Sequence, residues 1–182
     1  TYAVKSDQTS LGTLSCAKTV GGEAVSSGST VAIATGVTFT ASPITGYEVD
    51  AWYSNSECTT PIAEAGDANT YATSVTADLG VYVKFKNKIY TITYSPSSAP
   101  TGCTYTTKPT TGTYGNPVTM VITPSTGYTV SVSARDASSN VVTISNPSPN
   151  TYTFTQPASA VTVTVSTSQI MSTLTTSNSY NV

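Results

Sequence analysis

The chain writes one phrase twice, 81 positions apart, and this repeat limits its architecture more than any single residue does. Val37-Thr-Phe-Thr-Ala-Ser-Pro-Ile-Thr-Gly-Tyr-Glu-Val49 returns as Val118-Thr-Met-Val-Ile-Thr-Pro-Ser-Thr-Gly-Tyr-Thr-Val130. A duplication of this length reads as two similar modules, each just large enough to close a small core. The match continues downstream. Asn69-Thr-Tyr71 faces Asn150-Thr-Tyr152, and Val81, Val83 and Phe85 face Val161, Val163 and Val165. Upstream, Cys16 faces Cys103 and Tyr2 faces Tyr90, with loops absorbing the drift in offset. The expected organisation is repeat one over residues 1–87, repeat two over 88–168, and a tail over 169–182 with no counterpart.

Periodicity assigns the modules to the β class. Val161, Val163 and Val165 alternate with Thr162, Thr164 and Ser166, and Tyr90, Ile92 and Tyr94 alternate with Thr91 and Thr93. A period of two over such lengths predicts half-buried antiparallel strands. The punctuation agrees: in the repeated Pro-x-Thr-Gly-Tyr, proline ends one strand and glycine supplies the left-handed turn before tyrosine opens the next. No stretch carries a helical period. The predicted fold is all-β, two tandem small antiparallel β-sandwich modules of five to seven strands each, plus a C-terminal extra strand.

Composition excludes several functions. The chain has 26 serines and 37 threonines, only 9% charged residues and no histidine. No run approaches the roughly 18 apolar residues that a membrane-spanning helix needs. Without histidine, Ser–His and Cys–His nucleophiles and histidine-containing metal sites are ruled out. Seven basic residues and a pI near 4.8 leave no nucleic-acid footprint. Glu48 and Asp50 would share a strand face, but a glycosidase needs two carboxyls placed across a cleft. Gly66-Asp67-Ala68-Asn69 offers too few oxygens for calcium and reads as a turn. The expectation is a non-enzyme with no cofactor and no metal.

The residues Val37, Phe39, Ala41, Pro43, Gly46, Tyr47, Val49, Trp52, Val81, Val83 and Phe85 together resemble the divergent internalin B-type repeats of bacterial surface and secreted proteins. In repeat two the likeness is weaker: Ser133 stands at the tryptophan position and Val165 at the closing phenylalanine. The resemblance implies an extracellular modular β-domain acting as stalk, spacer or adhesive unit, and it carries no catalytic residues.

Three cysteines leave the covalent pattern open. Cys16 with Cys58 is the leading disulfide candidate, because repeat two has Ser139 where repeat one has Cys58; Cys103 is then a free or intermolecular thiol. Three reduced thiols, or a Cys16–Cys103 bridge, are the alternatives. The start at Thr1, with no initiator methionine or signal peptide, reads as a processed, exported chain of the extracellular cell surface, and the lack of Asn-x-Ser/Thr sequons favours a bacterial source. Charge divides between the copies, −4 over residues 1–87 and +2 over 88–168, which biases subunits toward head-to-tail contact.

The tail from Gln169 to Val182 has no charge, proline or glycine. Ile170, Met171, Ser172, Thr173 and Leu174 are the candidate assembly strand, to be added to a neighbouring subunit's sheet. The leading expectation is therefore a pilus-like homo-oligomer, the structural subunit of a cell-surface filament joined by strand exchange. A second is an adhesin or carbohydrate-binding module, whose Trp52, Tyr53, Tyr105 and Tyr114 would stack on a glycan or host-surface ligand. A virion decoration protein is the third.

Overall fold

The computed structural model describes residues 1–173, and the chain divides into two compact units, Thr1–Lys88 and Ile89–Val182. The first is built from β1 (Tyr2–Val4), β2 (Gly12–Lys18), β3 (Gly36–Pro43), β4 (Tyr47–Tyr53), β5 (Thr70–Ser74) and β6 (Val81–Asn87). These form two three-stranded sheets, ordered β1-β6-β4 and β2-β3-β5. Their inner faces share one apolar cluster that includes Phe39, Trp52, Val83 and Phe85.

The second unit runs through β7 (Ile89–Ser95), β8 (Cys103–Thr107), β9 (Thr111–Thr113), β10 (Pro117–Pro124), β11 (Tyr128–Asp136), β12 (Val141–Val142), β13 (Ser145–Ser148), β14 (Thr151–Thr155) and β15 (Val161–Gln169). Its sheets are ordered β12-β11-β15-β7-β9 and β13-β14-β10-β8. Without the short edge strands β9, β12 and β13, the orders become β11-β15-β7 and β14-β10-β8. That is the first unit's arrangement, strand for strand. The all-β class expected from the sequence is what the chain adopts, with no α-helix among the described residues.

Local chemistry explains the elements. Val161, Val163 and Val165 are at most 3% exposed, while Thr162, Thr164 and Ser166 face solvent. Gly46 at φ 93° and Gly127 at φ 81° turn the chain after the two prolines. The amides of Tyr47 and Tyr128 close these turns onto the carbonyls of Ile44 and Ser125, at 3.1 and 3.0 Å. One feature departs from an antiparallel expectation: β1 pairs with β6, and β7 with β15, in parallel. The first strand of each unit lies beside its last, and a connection that traverses the whole unit is long enough to make a parallel pair.

Strand register corrects three pairings inferred from the sequence. Tyr2 lies opposite Val81 as Ile92 lies opposite Val161, so Ile92 rather than Tyr90 is its counterpart. Cys103 faces Pro124 where Gly12 faces Pro43, so Cys103 corresponds to Gly12 and not to Cys16. Trp52 faces Val83 where Ala134 faces Val163, so Ala134 and not Ser133 takes the tryptophan position. The last discrepancy has a clear cause. The β11–β15 hairpin runs two rungs further than β4–β6, with Tyr128 opposite Gln169 where Tyr47 is opposite Asn87, and a bulge between Val49 and Ala51, which turns both Val49 and Trp52 inward, takes one of the two back.

Candidate functional site

The units differ most at one end of the sandwich, where β2 leads to β3 and β8 leads to β10. The first connection is seventeen residues (19–35) and the second nine (108–116). Gly21 and Gly22, at φ 82° and 68°, reverse the long connection. The Glu23 carbonyl then accepts from the Lys18 amide at 2.8 Å and the Cys16 carbonyl from the Val25 amide at 2.9 Å. Ser27 next meets the edge of β1: its hydroxyl accepts from the Tyr2 amide and donates to the Tyr2 carbonyl, both at 2.8 Å. Ala34 and Thr35 return to the sandwich by exchanging backbone hydrogen bonds with Val75, at 2.8 and 2.9 Å.

Between these anchors the loop arches over a groove of about 630 Å3. Its floor is Tyr2, Cys16, Val37 and Phe39, with Val75 and Leu79 beside them. The Tyr2 and Phe39 rings meet edge to face at 5.7 Å. Burial pushes the Cys16 thiol up, so at neutral pH it is an uncharged part of this floor. Among the described residues, Asp78 is the only charged side chain lining it, and the Thr1 ammonium at its edge donates to the Leu79 carbonyl at 2.6 Å. An apolar floor with hydroxyls at its rim suits an uncharged, partly apolar occupant. Among the described residues, no three histidine, cysteine or acidic side chains gather into a metal-binding group.

The second unit repeats the backbone bonds at the foot of this connection but has a different plug. Gly115 and Asn116 exchange hydrogen bonds with Gln156, at 3.0 and 2.9 Å, as Ala34 and Thr35 do with Val75. Gln156 is 1% exposed. Its amide nitrogen donates to the carbonyls of Pro157 and Ser159, at 3.2 and 2.8 Å. Its Oε1 is buried against Gly112 without a hydrogen-bond partner. A Cβ on Gly112 would stand 2.4 Å from that oxygen and 2.7 Å from Val118 Cγ2, so only glycine fits. Where Val75 leaves a groove, Gln156 fills it.

The candidate residues named from sequence fall in several places. All three cysteines are free thiols. The expected Cys16–Cys58 bridge is not formed: Cys16 faces the core from β2, whereas Cys58 sits in the turn after β4 at φ 53°. Cys58 Sγ donates instead to the Ser56 carbonyl at 3.8 Å. Cys103 is 7% exposed, a thiol of the core rather than of a surface able to bridge copies. Trp52 is wholly buried, its Nε1 donating to the Ala68 carbonyl at 2.9 Å, and so cannot stack on a ligand. Tyr53 is half-buried opposite Tyr82. Tyr105 packs on Tyr94 at 5.5 Å, with Lys108 Nζ 4.9 and 5.2 Å from the two rings. Tyr114 is half-buried in the turn between β9 and β10.

The turn around Asp67 has a structural task, since the Ala68 carbonyl holds Trp52 and the Asn69 carbonyl accepts from the Ala41 amide at 2.8 Å. Asp50, in the bulge, pairs with Lys84 at 3.0 Å. That carboxylate raises the Lys84 pKa.

The start of the tail belongs to the second unit. Gln169 closes β15 opposite Tyr128, and the Ile170 amide donates to the Gly127 carbonyl at 2.7 Å. Ile170 and Met171 are 58% and 85% exposed, and Ser172 and Thr173 also face solvent. Leu174, with the rest of the tail, lies outside the described residues. Sequence reasoning missed the groove itself. Its two signals were the unequal loop lengths and the valine at position 75 opposite a glutamine at 156.

No helix among the described residues is long and apolar enough to cross a membrane. Neither a curated protein nor a solved structure matches the chain. Residues 12–89, which span β2 to β6, match the family model of the divergent InlB B-repeat domain, and the match does not extend to the second unit. The first unit therefore carries a divergent InlB B-repeat domain, a module that fits a bacterial surface protein.

Proposed function

We propose that the chain is a non-enzymatic extracellular structural protein, the subunit of a bacterial surface filament or similar assembly joined by β-strand addition. The observation that supports this reading is the end of β15. There the uncharged segment 170–173 follows the strand without strand structure of its own and exposes Ile170 and Met171 to water. Apolar side chains at the end of a strand are the ingredients of pairing with another chain's sheet edge. Truncation after Ile170 keeps every strand of the second unit, because Gln169 and Ile170 are held within it. The truncated protein is expected to remain folded by circular dichroism and Trp52 fluorescence and to form none of the filaments expected of the full chain under the electron microscope. Filaments from the truncated protein would overturn the reading.

The groove favours a second reading, a surface binding module. A glycan array that lights up with the full chain and goes dark when the groove is filled by Phe39→Trp would replace the assembly reading with this one.

A further inference from the structure

We propose that the groove of the first unit receives the tail of a second copy of this chain, with Leu174 seated over Val37 and Val75 and the tail's backbone meeting β1 in antiparallel sense at Tyr2. The inference rests on the assembly reading above and adds the receiving site. The second unit supplies the template. There β9 lies antiparallel along β7, with Tyr90 opposite Gly112 and Thr91 opposite Thr111, and the Ile92 amide donates to the Thr110 carbonyl at 2.8 Å. In the first unit the strand equivalent to β7 is β1, and the residue equivalent to Ile92 is Tyr2. Its amide and carbonyl are both served by one Ser27 hydroxyl. A backbone arriving in the position of β9 would replace that hydroxyl at the Tyr2 amide.

Size selects the occupant. In the second unit the middle residue of β9 is glycine because Gln156 and Val118 leave no room for a Cβ. In the first unit Val75 replaces Gln156 and about 630 Å3 stands open, so a strand placed there accommodates a large apolar side chain in the middle. The tail reads Ser172-Thr-Leu-Thr-Thr176, a leucine flanked by threonines as Gly112 is flanked by Thr111 and Thr113. Charge agrees. The tail has none, so no ion is buried on docking. Counted by structural unit, Thr1–Lys88 carries −3 and the unit that bears the tail +1, so head-to-tail docking brings opposite signs together.

Cys16 in the groove floor provides the test. In the full chain carrying Cys58→Ser and Leu174→Cys, mild oxidation by diamide is expected to link position 174 of one copy to Cys16 of another. The products should form a ladder on a non-reducing gel that collapses on reduction. Mixing isotopically heavy and light protein shows by mass spectrometry whether each link joins two copies. With the native cysteines, Val75→Gln, which imports the second unit's plug, and Leu174→Asp should each raise the concentration needed for polymers about tenfold or more. A Cys16–174 link confined to single copies would overturn the proposal, since the tail would then dock on its own molecule. Unimpaired polymers from both Val75→Gln and Leu174→Asp would also overturn it while leaving assembly by strand addition in place. A native chain that never polymerises sinks the assembly reading, and this inference with it.

Discussion

In the first unit Trp52 fills the middle of the sandwich from β4, 6.0 Å from the Tyr71 ring, while Ala41 on β3 and Thr73 on β5 are small. In the second unit Ala134 stands in the tryptophan position, and Ile122 and Phe154 occupy the places of Ala41 and Thr73. A second exchange follows the same logic. Gly12 leaves space for the Phe85 ring, which lies 2.8 Å from where a Cβ would be; the second unit has Cys103 there and the smaller Val165 opposite. One strand order thus closes around two different fillings, because a core is constrained by total volume more than by the identity of each contributor. The end under the long loop escaped this balance: Val75 stands where the second unit has Gln156, and although Tyr2 and Phe39 are larger than their counterparts Ile92 and Met120, a groove remains. Exchanges that balance keep the fold, and the one that does not makes a site.

The strongest way to break this comparison is Trp52→Ala. It removes the largest buried side chain of the first unit and strips the Ala68 carbonyl of its donor, at an expected cost of about 3–5 kcal/mol. That is much of the stability of a domain this size. Hydrogen exchange read by mass spectrometry should show residues 1–88 losing protection while β10, β14 and β15 keep theirs. Simultaneous loss in both units would mean that they do not hold separate cores.

The next test is the volume exchange itself. Gly12→Cys alone forces a side chain into the Phe85 ring, and Phe85→Val alone leaves a void. Each should destabilise the first unit by about 1–3 kcal/mol. Together they recreate the Cys103–Val165 arrangement. The double variant should be more stable than the sum of the two losses by at least about 1 kcal/mol, read as a urea midpoint from Trp52 fluorescence. Strict additivity would show that Phe85 and Gly12 do not compete for one space.

What the sequence reveals of this pattern divides by range. The alternation of Val161, Val163 and Val165 and the turn after Pro43 are local, so strands and turns could be read directly. The bulge at Asp50 is also a local event, but its effect is not. Together with the longer β11–β15 hairpin it leaves Trp52 one step off a constant offset, and only pairing with Val83 reveals Ala134 as the counterpart. Likeness of residue type misled at Cys16 and Cys103 for the same reason, because register is set across strands and not along the chain. The disulfide expectation failed because spacing in sequence does not fix how two thiols face each other. The groove was illegible since Tyr2, Cys16, Phe39 and Val75 come from four separate segments.

A smaller difference concerns alkaline pH. Burial, reinforced by the neighbouring Tyr105, raises the Tyr94 pKa from 10.0 to about 12, and its hydroxyl is buried without a partner. The unfolded chain releases this proton near pH 10, the folded unit only near 12. The folded state therefore holds the extra proton in this window, and stability falls as pH rises through it, being complete below 10. The second unit should lose hydrogen-exchange protection across this range, and Tyr94→Phe should delay that loss. If Tyr94→Phe leaves the alkaline profile unchanged, Tyr94 is not the group that couples proton release to unfolding.

The smallest expected effect lies at the rim of the groove, where the two backbones are alike and the residues are not. Ala34 adopts φ 67°, and its amide donates to the Val75 carbonyl at 2.8 Å. Gly115 makes the same bond to Gln156 at φ 77°. A left-handed conformation costs an L-residue about 1–2 kcal/mol, while glycine loses about 0.5–1 kcal/mol more than alanine in ordering the chain. Ala34→Gly should then stabilise the first unit by up to about 1 kcal/mol, and Gly115→Ala should destabilise the second by a similar amount. Trp52 fluorescence in urea reads the first change, and hydrogen exchange reads the second. Relief at Ala34 with no loss at Gly115 would place strain in the long loop alone. Opposite changes of similar size would show that both connections are held in one backbone geometry, and that the groove owes its opening to Val75 and loop length rather than to a different path of the chain at its rim.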